Sequence, residues 1–181
     1  VAPIPFERVN YCNWDFADKA VDYLGFPIIV KELYGSFGQQ VYLAHDMDEL
    51  KCIVSGLNHK GFLMQEMIDT SFGKDIRINV VGGEVISAML RYNEKGDFRS
   101  NISNGGSMKS YDPSEAQKQI ALEACNAIGL DFAGVDVLFG DNDEPLVCEV
   151  NSNPHFKSSI DCTGINISDY IIKHIKESVS K

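Results

Sequence analysis

The chain has 181 residues, of which 44% are hydrophobic and 23% charged, enough for a sizeable core in one domain or in two small lobes sharing a cleft. A formal net charge of -10 and a pI near 4.8 disfavour a nucleic-acid or anionic-membrane partner. No apolar run reaches the roughly 18 residues of a membrane helix, and no signal peptide opens the chain.

The start at Val1, inside the Pro-rich stretch Val1-Ala2-Pro3-Ile4-Pro5, reads as a trimmed or fragmentary beginning. Asp15 to Leu24 then places Phe16, Ala20, Val21 and Leu24 on one helical face, with Gly25 as the stop. Phe26 to Lys31 predicts a short buried strand ending on a lysine. The glycine-bearing turn Gly35-Ser36-Phe37-Gly38 follows, with a returning strand over Gln40–Leu43. Asp46 or Asp48 caps a helix through Leu57, and Gly61–Ile68 reads as a further apolar strand. Two β-rich runs, Ile76–Val81 and Glu84–Arg91, flank the turn signal Gly82-Gly83 and predict a hairpin.

A glycine-rich loop (Gly96, Gly105, Gly106) leads to Asp112-Pro113, which reads as N-cap plus first-turn proline. That helix runs to about Ile128, with Ile120, Ala121, Ala124 and Ile128 as its apolar face, and Gly129 ends it. A second hairpin pairs Val135–Phe139 with Leu146–Val150. A terminal helix from about Ser168 turns Ile171, Ile172 and Ile175 inward. Mostly antiparallel strands interspersed with helices predict an α+β fold. The five cysteines (Cys12, Cys52, Cys125, Cys148, Cys162) are scattered without a C-x-x-C pair. Buried free thiols in a reducing cytoplasm are the simplest reading.

The sharpest chemistry lies in the second hairpin. Glu149 and Asn151 are two residues apart on a strand and share a face. If Phe139 pairs with Leu146, Asp136 falls opposite Glu149. Adjacent carboxylates among Val135, Val137, Val147 and Val150 repel each other unless a cation or proton compensates. Three hard oxygen ligands suit Mg²⁺ or Mn²⁺; the alternative is a solvated edge hairpin with two surface acids.

On the phosphate side, Lys31 ends a buried strand just before the Gly35–Gly38 turn, where small residues let backbone N–H groups approach an anion. The turn is neither a Walker A motif nor a G-x-G-x-x-G fingerprint, and a plain hairpin beside a surface lysine is its alternative. Arg77, Arg91 and Arg99 form a second basic set, able to grip a phosphoryl group or simply to pair with surface acids. Gln65-Glu66-Met67-Ile68 could present backbone groups to an adenine, or be a core strand end.

Taken in order, the stretches Phe26–Lys31, Gly35–Gly38, Gln65–Ile68, Asp75-Ile76-Arg77, Gly96-Asp97-Phe98-Arg99-Ser100-Asn101, Gly134-Val135-Asp136, Glu149-Val150-Asn151 and Thr163-Gly164-Ile165 resemble the RimK-like ATP-grasp ligases. Those enzymes add glutamate or similar amino acids to a carboxylate. The resemblance implies an ATP-grasp fold with two α+β lobes closing on ATP: residues 1–68 with phosphate loop and adenine hinge, and residues 69–181 with the metal site. It implies that Lys31 contacts the phosphates and that Gly35, Ser36, Phe37 and Gly38 cover them. Gln65, Glu66, Met67 and Ile68 would hold the adenine, with Arg77 in the same nucleotide-binding set. Asp136, Glu149 and Asn151 would bind two magnesium (or manganese) ions. Arg91 would steady the transferred phosphoryl group, and Arg99 and Asn101 would face the reaction site.

The implied partners are ATP, a carboxylate and an amine such as an amino acid, with no nucleic acid and no membrane, in the cytoplasm; self-association stays open. Two departures stand out. Gln39-Gln40-Val41 replaces a further glycine of the phosphate loop, and Ser152–Lys157 replaces a small turn beside the acceptor site. Relatives also carry an upstream domain and a further ATP-contacting lysine. The rival readings are an ATP-binding module without catalysis and an ATP-grasp enzyme using a thiol, hydroxyl or bicarbonate nucleophile.

Overall fold

The computed structural model describes residues 14–35, 38–102 and 105–180. The chain divides into two units, Val1–Met67 and Ile68–Lys181.

The first unit packs two helices on a three-stranded antiparallel sheet. Helix α1 (Asp15–Leu24) buries Ala17 and Ala20, with Phe16, Val21 and Leu24 beside them, and ends at Gly25 with φ +69°. Strands β1 (Ile28–Glu32), β2 (Val41–Ala44) and β3 (Phe62–Glu66) lie in the order β2-β1-β3. Helix α2 (Met47–Gly56) starts at Asp46, whose carboxylate accepts the amide of Glu49 at 2.9 Å. Ile28, Val30, Ala44 and Met64 from the sheet meet Ala17, Ala20, Leu50 and Val54 from the helices in one core. The alternation of β1 therefore puts Ile29 and Lys31 on the other side of the sheet.

The second unit holds a five-stranded antiparallel sheet in the order β6-β5-β4-β7-β8. Its strands are β4 (Lys74–Val81), β5 (Glu84–Tyr92), β6 (Ser107–Ser110), β7 (Phe132–Phe139) and β8 (Pro145–Asn151). Gly82 and Gly83, at φ +59° and +79°, make the tight β4–β5 turn that two consecutive left-handed residues allow. Helix α3 (Glu115–Ala127) covers one face of the sheet through Ala121 and Cys125. Helices α4 (Lys157–Thr163) and α5 (Ile167–Val179) complete the unit. Among the described residues no helix is long and apolar enough to cross a membrane.

Several expectations are corrected. Helix α3 begins two residues after Pro113: Ser114 is the cap, closing a capping box with Gln117. The reciprocal pair of hydrogen bonds satisfies two end groups where Asp112 would satisfy one. Ile128, past the last turn, is 56% exposed. On α5, Ile172 and Ile175 face outward at 52% and 54% exposure, and Ile167 is the buried residue. Within the glycine-rich segment, Ser107–Ser110 form β6 against β5, and α4 follows Pro154 without an N-cap side chain to announce it.

Candidate functional site

Strand alternation divides the larger sheet into two rows. Ile76, Ile78 and Val80 of β4, with Ala88 of β5 and Ala133, Val135 and Val137 of β7, point to α3 and form the apolar core. Asp75, Arg77 and Asn79 of β4 point the other way. They are joined there by Ser87, Met89 and Arg91 of β5, and by Gly134 and Asp136 of β7. Helix α4 lies on that second side, where Ser159 Oγ meets Asn79 Nδ2 at 3.1 Å and Met89 Sδ at 3.7 Å.

The second row is charged, yet buried. Asp75 is 7% exposed, Arg77 9%, Arg91 6% and Asp136 3%. The Arg77 guanidinium forks onto Asp136, with Nε donating to Oδ1 and Nη2 to Oδ2 at 2.8 Å. Arg91 Nε donates to Asp75 Oδ1 at 2.8 Å and Nη2 to Asp75 Oδ2, while Nη2 also reaches Asp136 Oδ2 at 2.9 Å. Two carboxylates thus face two guanidiniums, and the four charges cancel. Burial pushes the Asp136 carboxyl up, but Arg91 and Arg77 outweigh it and hold it at about 2, below the usual 3.8. For Asp75 burial prevails over Arg91, and its carboxyl is raised. Burial disfavours the Arg91 cation, but Asp136 and Asp75 overcome it, so the guanidinium stays charged.

Gly134 makes room for this arrangement. A Cβ there would sit 2.8 Å from Pro154 Cβ and 3.0 Å from Arg77 Cδ, so only glycine lets the arginine stem cross β7 to its neighbour Asp136. The residue is signalled in the sequence, two places before Asp136 and therefore on the same face.

Register decides the third member of the site. At the end of the second hairpin Phe139 pairs with Pro145, not with Leu146 as expected. A β-bulge then leaves Cys148 unpaired, and beyond it Asp136 pairs with Glu149 and Gly134 with Asn151. Without the extra residue Asp136 would face Cys148, and Glu149 would turn toward α3. Glu149 Oε1 accepts Asn151 Nδ2 at 3.0 Å, and the same nitrogen is 3.4 Å from Gly134 O. Asp136 is buried and Glu149 exposed, so the anticipated trio spans the edge of the buried network. What compensates the Asp136 charge here is guanidinium. Among the described residues no three His, Cys, Asp or Glu side chains form a metal cluster; Asn151, the third expected ligand, is of another type.

The remaining expected residues fall in two places. Arg99, on the segment after β5, is held by Asp97 (Nε–Oδ1 3.0 Å, Nη2–Oδ2 2.8 Å) and lies 5.5 Å from the Phe98 ring centroid. Its hydrogen bond is the main cause of a lowered Asp97 carboxyl. Asn101 follows, its carbonyl accepting Gly106 N at 3.2 Å. In the first unit, Lys31 sits half-buried near the end of β1, opposite Val41 and Leu63. Gly35 is exposed and Gly38 has φ +69°, while Ser36 and Phe37 lie outside the described residues. Gln65 and Glu66 close the edge strand β3. Beyond them the Met67 amide donates to Pro27 O at 3.3 Å, and Ile68 O accepts Ser71 N at 2.9 Å.

Neither Arg77 nor Arg91 is the surface arginine of the alternative reading. Sequence reasoning missed Asp75, the buried partner of Arg91, and the buried Ser100, whose hydroxyl counters the rise of the Asp75 carboxyl. The pattern Asp75-x-Arg77, two charges on one face of a strand between apolar neighbours, was the available signal.

Comparison with known proteins bears on this geometry. The family described as "RimK-like ATP-grasp domain" matches residues 10–175. The chain is 39% identical over 160 residues to a probable alpha-L-glutamate ligase of Trichodesmium erythraeum (strain IMS101), covering 87% of this chain and 53% of that protein. It is 40% identical over 177 residues to human N-acetylaspartylglutamate synthase A, covering 93% and 45%. The chain thus spans about half the length of these curated relatives. Among solved structures, Bacillus anthracis D-alanine–D-alanine ligase complexed with ATP superposes with a TM-score of 0.69 at 21% identity, covering 97% of this chain and 57% of that one. At that identity the likeness shows the fold, which is ATP-grasp.

Proposed function

The chain belongs to the RimK-like ATP-grasp family, and on that premise we propose that it is the catalytic part of an ATP-dependent carboxylate–amine ligase. The observation that carries this reading is the shared face of β4, β5, β7 and β8, where Asp136 pairs with the guanidiniums of Arg77 and Arg91 and stands opposite Glu149, with Asn151 two residues further along the same strand.

A carboxylate is a poor electrophile because its leaving group would be oxide or hydroxide. Transfer of the ATP γ-phosphoryl to a carboxylate oxygen gives an acyl phosphate and ADP. An amine then attacks the acyl carbon, phosphate leaves, and an amide results. Phosphoryl transfer asks the protein mainly for positioning and charge neutralisation. We assign Arg91 to the transferred group, for its guanidinium is charged, oriented and near the carboxylate cluster. Arg99 and Asn101 are assigned to the reacting carboxylate. Lys31 and the Gly35–Gly38 turn, with Ser36 and Phe37, are assigned to the phosphates, and Gln65 to Ile68 to the adenine. We assign residues 1–68 as the nucleotide lobe and residues 69–181 as the metal lobe.

The donor set fits a divalent cation. Asp136 is ionised at neutral pH, Glu149 is exposed, and Asn151 supplies an amide oxygen, all hard ligands suited to Mg²⁺ or Mn²⁺. Those three residues would hold it, and when bound it would neutralise charge on the phosphates. ATP as substrate and free thiols at Cys52, Cys125, Cys148 and Cys162 fit a cytoplasmic setting. The names of the relatives make glutamate the first amine to try.

The test is ADP release by the full-length protein with ATP, Mg²⁺ and a matrix of amino acids and carboxylates. Release that requires both an amine and a carboxylate, and that vanishes in Asp136→Ala and Glu149→Ala, is the expected result. No release with any amine, thiol, hydroxyl or bicarbonate nucleophile would leave only a nucleotide-binding module.

A further inference from the structure

Both hydrogen bonds that the Arg91 guanidinium makes by geometry among the described residues go to one residue, Asp75, which carries no expected role of its own. The two stand directly opposite each other on β4 and β5, so no long lever separates them. The closest approach of Asp136 to the guanidinium is the Nη2–Oδ2 ion pair, at 2.9 Å. A single contact of that kind leaves a guanidinium free to pivot; a bidentate grip fixes its plane. Asp75 holds the Nε–Nη2 edge, and Nη1 makes no hydrogen bond among the described residues. The grip therefore determines where Nη1 points.

Ser100, 7% exposed, neighbours Asp75, and its hydroxyl counters the rise of that carboxyl. Ser100 lies between Arg99 and Asn101, so its burial constrains both. The same segment is tied to the start of β4 at neighbouring points. Gly73 N donates to Phe98 O at 3.0 Å, Asn93 N donates to Gly73 O at 2.8 Å, and Asn93 Nδ2 donates to Arg99 O at 3.3 Å. A Cβ at Gly73 would stand 2.8 Å from Asp97 O, which leaves the segment no slack there.

We propose that Asp75 is the positioning residue of this site: its buried carboxylate, gripping one edge of Arg91 at the point where the Arg99–Asn101 segment is tied to β4, holds Arg91 and that segment in a single arrangement. The inference rests on the ligase reading for its catalytic consequence, and on the ion-pair geometry alone for its structural one. Asp75 touches no reacting atom. It acts through the orientation of groups that do, and such groups lose rate steeply when misaligned.

Two readouts separate these layers. Hydrogen exchange of arginine Nε–H groups, followed by ¹⁵N NMR on the protein, reports the grip without any turnover; the Arg91 signal is identified by its loss in Arg91→Lys. Steady-state ADP release reports the catalytic consequence. In Asp75→Asn the Arg91 Nε–H is expected to exchange at least about tenfold faster. In the same variant kcat should fall by about tenfold or more, with KM for ATP within about threefold of the parent. On an Arg91→Lys background Asp75→Asn should then cost kcat little more, whereas a residue serving only stability would act additively.

Ser100→Ala removes one hydroxyl and serves if Asp75→Asn does not fold. It should lower kcat by roughly two- to fivefold at an unchanged melting temperature. Unchanged Nε–H protection in Asp75→Asn, or unchanged kcat in Ser100→Ala, overturns the proposal. A protein that shows the protected Nε–H, lost in Asp75→Asn, but releases no ADP with any nucleophile would retain the positioning role and lose the ligase reading.

Discussion

The two sides of strand β4 are buried to nearly the same degree by opposite means. Ile76, Ile78 and Val80 are at most 1% exposed and pack in the apolar core under α3. Asp75, Arg77 and Asn79, one residue out of phase, are at most 9% exposed and meet charge, amide and hydroxyl groups. The first row coheres without direction, through area removed from water and close packing. The second coheres only if each polar atom finds a partner in the right place, because an unpaired buried charge costs several kcal/mol. Among the described residues one buried side-chain atom lacks a partner, Asn79 Oδ1. A buried ion-pair network is a weak source of stability, so its presence points to a use for fixed charges. A strand that alternates apolar and polar here separates two interiors, not an inside from an outside.

That contrast can be broken most severely at Asp136. Asp136→Asn leaves Arg77 with no buried anion and Arg91 with Asp75 alone. Unfolding in urea should show a loss of about 3–5 kcal/mol. On the proposed ligase reading, ADP release should fall about a thousandfold or more, because the charge neutralisation assigned to Asp136 would be lost with it. The variant should also change the acid limb of stability. The folded carboxyl titrates at about 2, below the usual 3.8. Its contribution is therefore complete above 3.8 and lost as pH falls through that window, a swing of roughly 2 kcal/mol. Urea midpoints measured across that window should flatten in Asp136→Asn; an unchanged slope would mean that Asp136 is not held by the two guanidiniums.

Ile78→Ala strikes the other row at the same depth. It should cost about 2–5 kcal/mol in stability. Turnover per folded molecule should stay within about threefold of the parent, because nothing in the apolar row orients a reacting group. A selective fall in kcat at a temperature where the variant is fully folded would show that the two rows are not independent. Gly134→Ala sharpens the comparison without altering charge. The new methyl group would meet Pro154 and Arg77, and overpacking should cost about 1–3 kcal/mol. Arginine Nε–H exchange should reveal displacement of Arg77 while Arg91 keeps its protection; a variant as stable as the parent would refute the close approach.

Much of this architecture was legible locally. Helix α1 keeps its expected bounds because its apolar spacing and Gly25 agree, and the β4–β5 hairpin follows from Gly82-Gly83 between two β-rich runs. Strand β6 and helix α4 were not legible. Ser107–Ser110 is a short edge strand without apolar alternation, and α4 has no cap side chain, so both exist because the surrounding structure offers them partners. The outward turn of Ile172 and Ile175 was equally hidden, since periodicity marks an apolar stripe but not what covers it.

For the candidate site the division is sharper. Residue types and spacing alone determined that Glu149 and Asn151 share a face, that a glycine stands two places before Asp136, and that arginines accompany these acids. Tertiary structure decided which face that is, through the bulge at Cys148. It also decided what answers the buried charge, by bringing Arg77, Arg91 and Asp75 from strands far from β7 in sequence. The physical reason is reach. Backbone periodicity acts over a few residues and is written in the chain, whereas register and ion pairing depend on groups that only the closed sheet brings within hydrogen-bond distance.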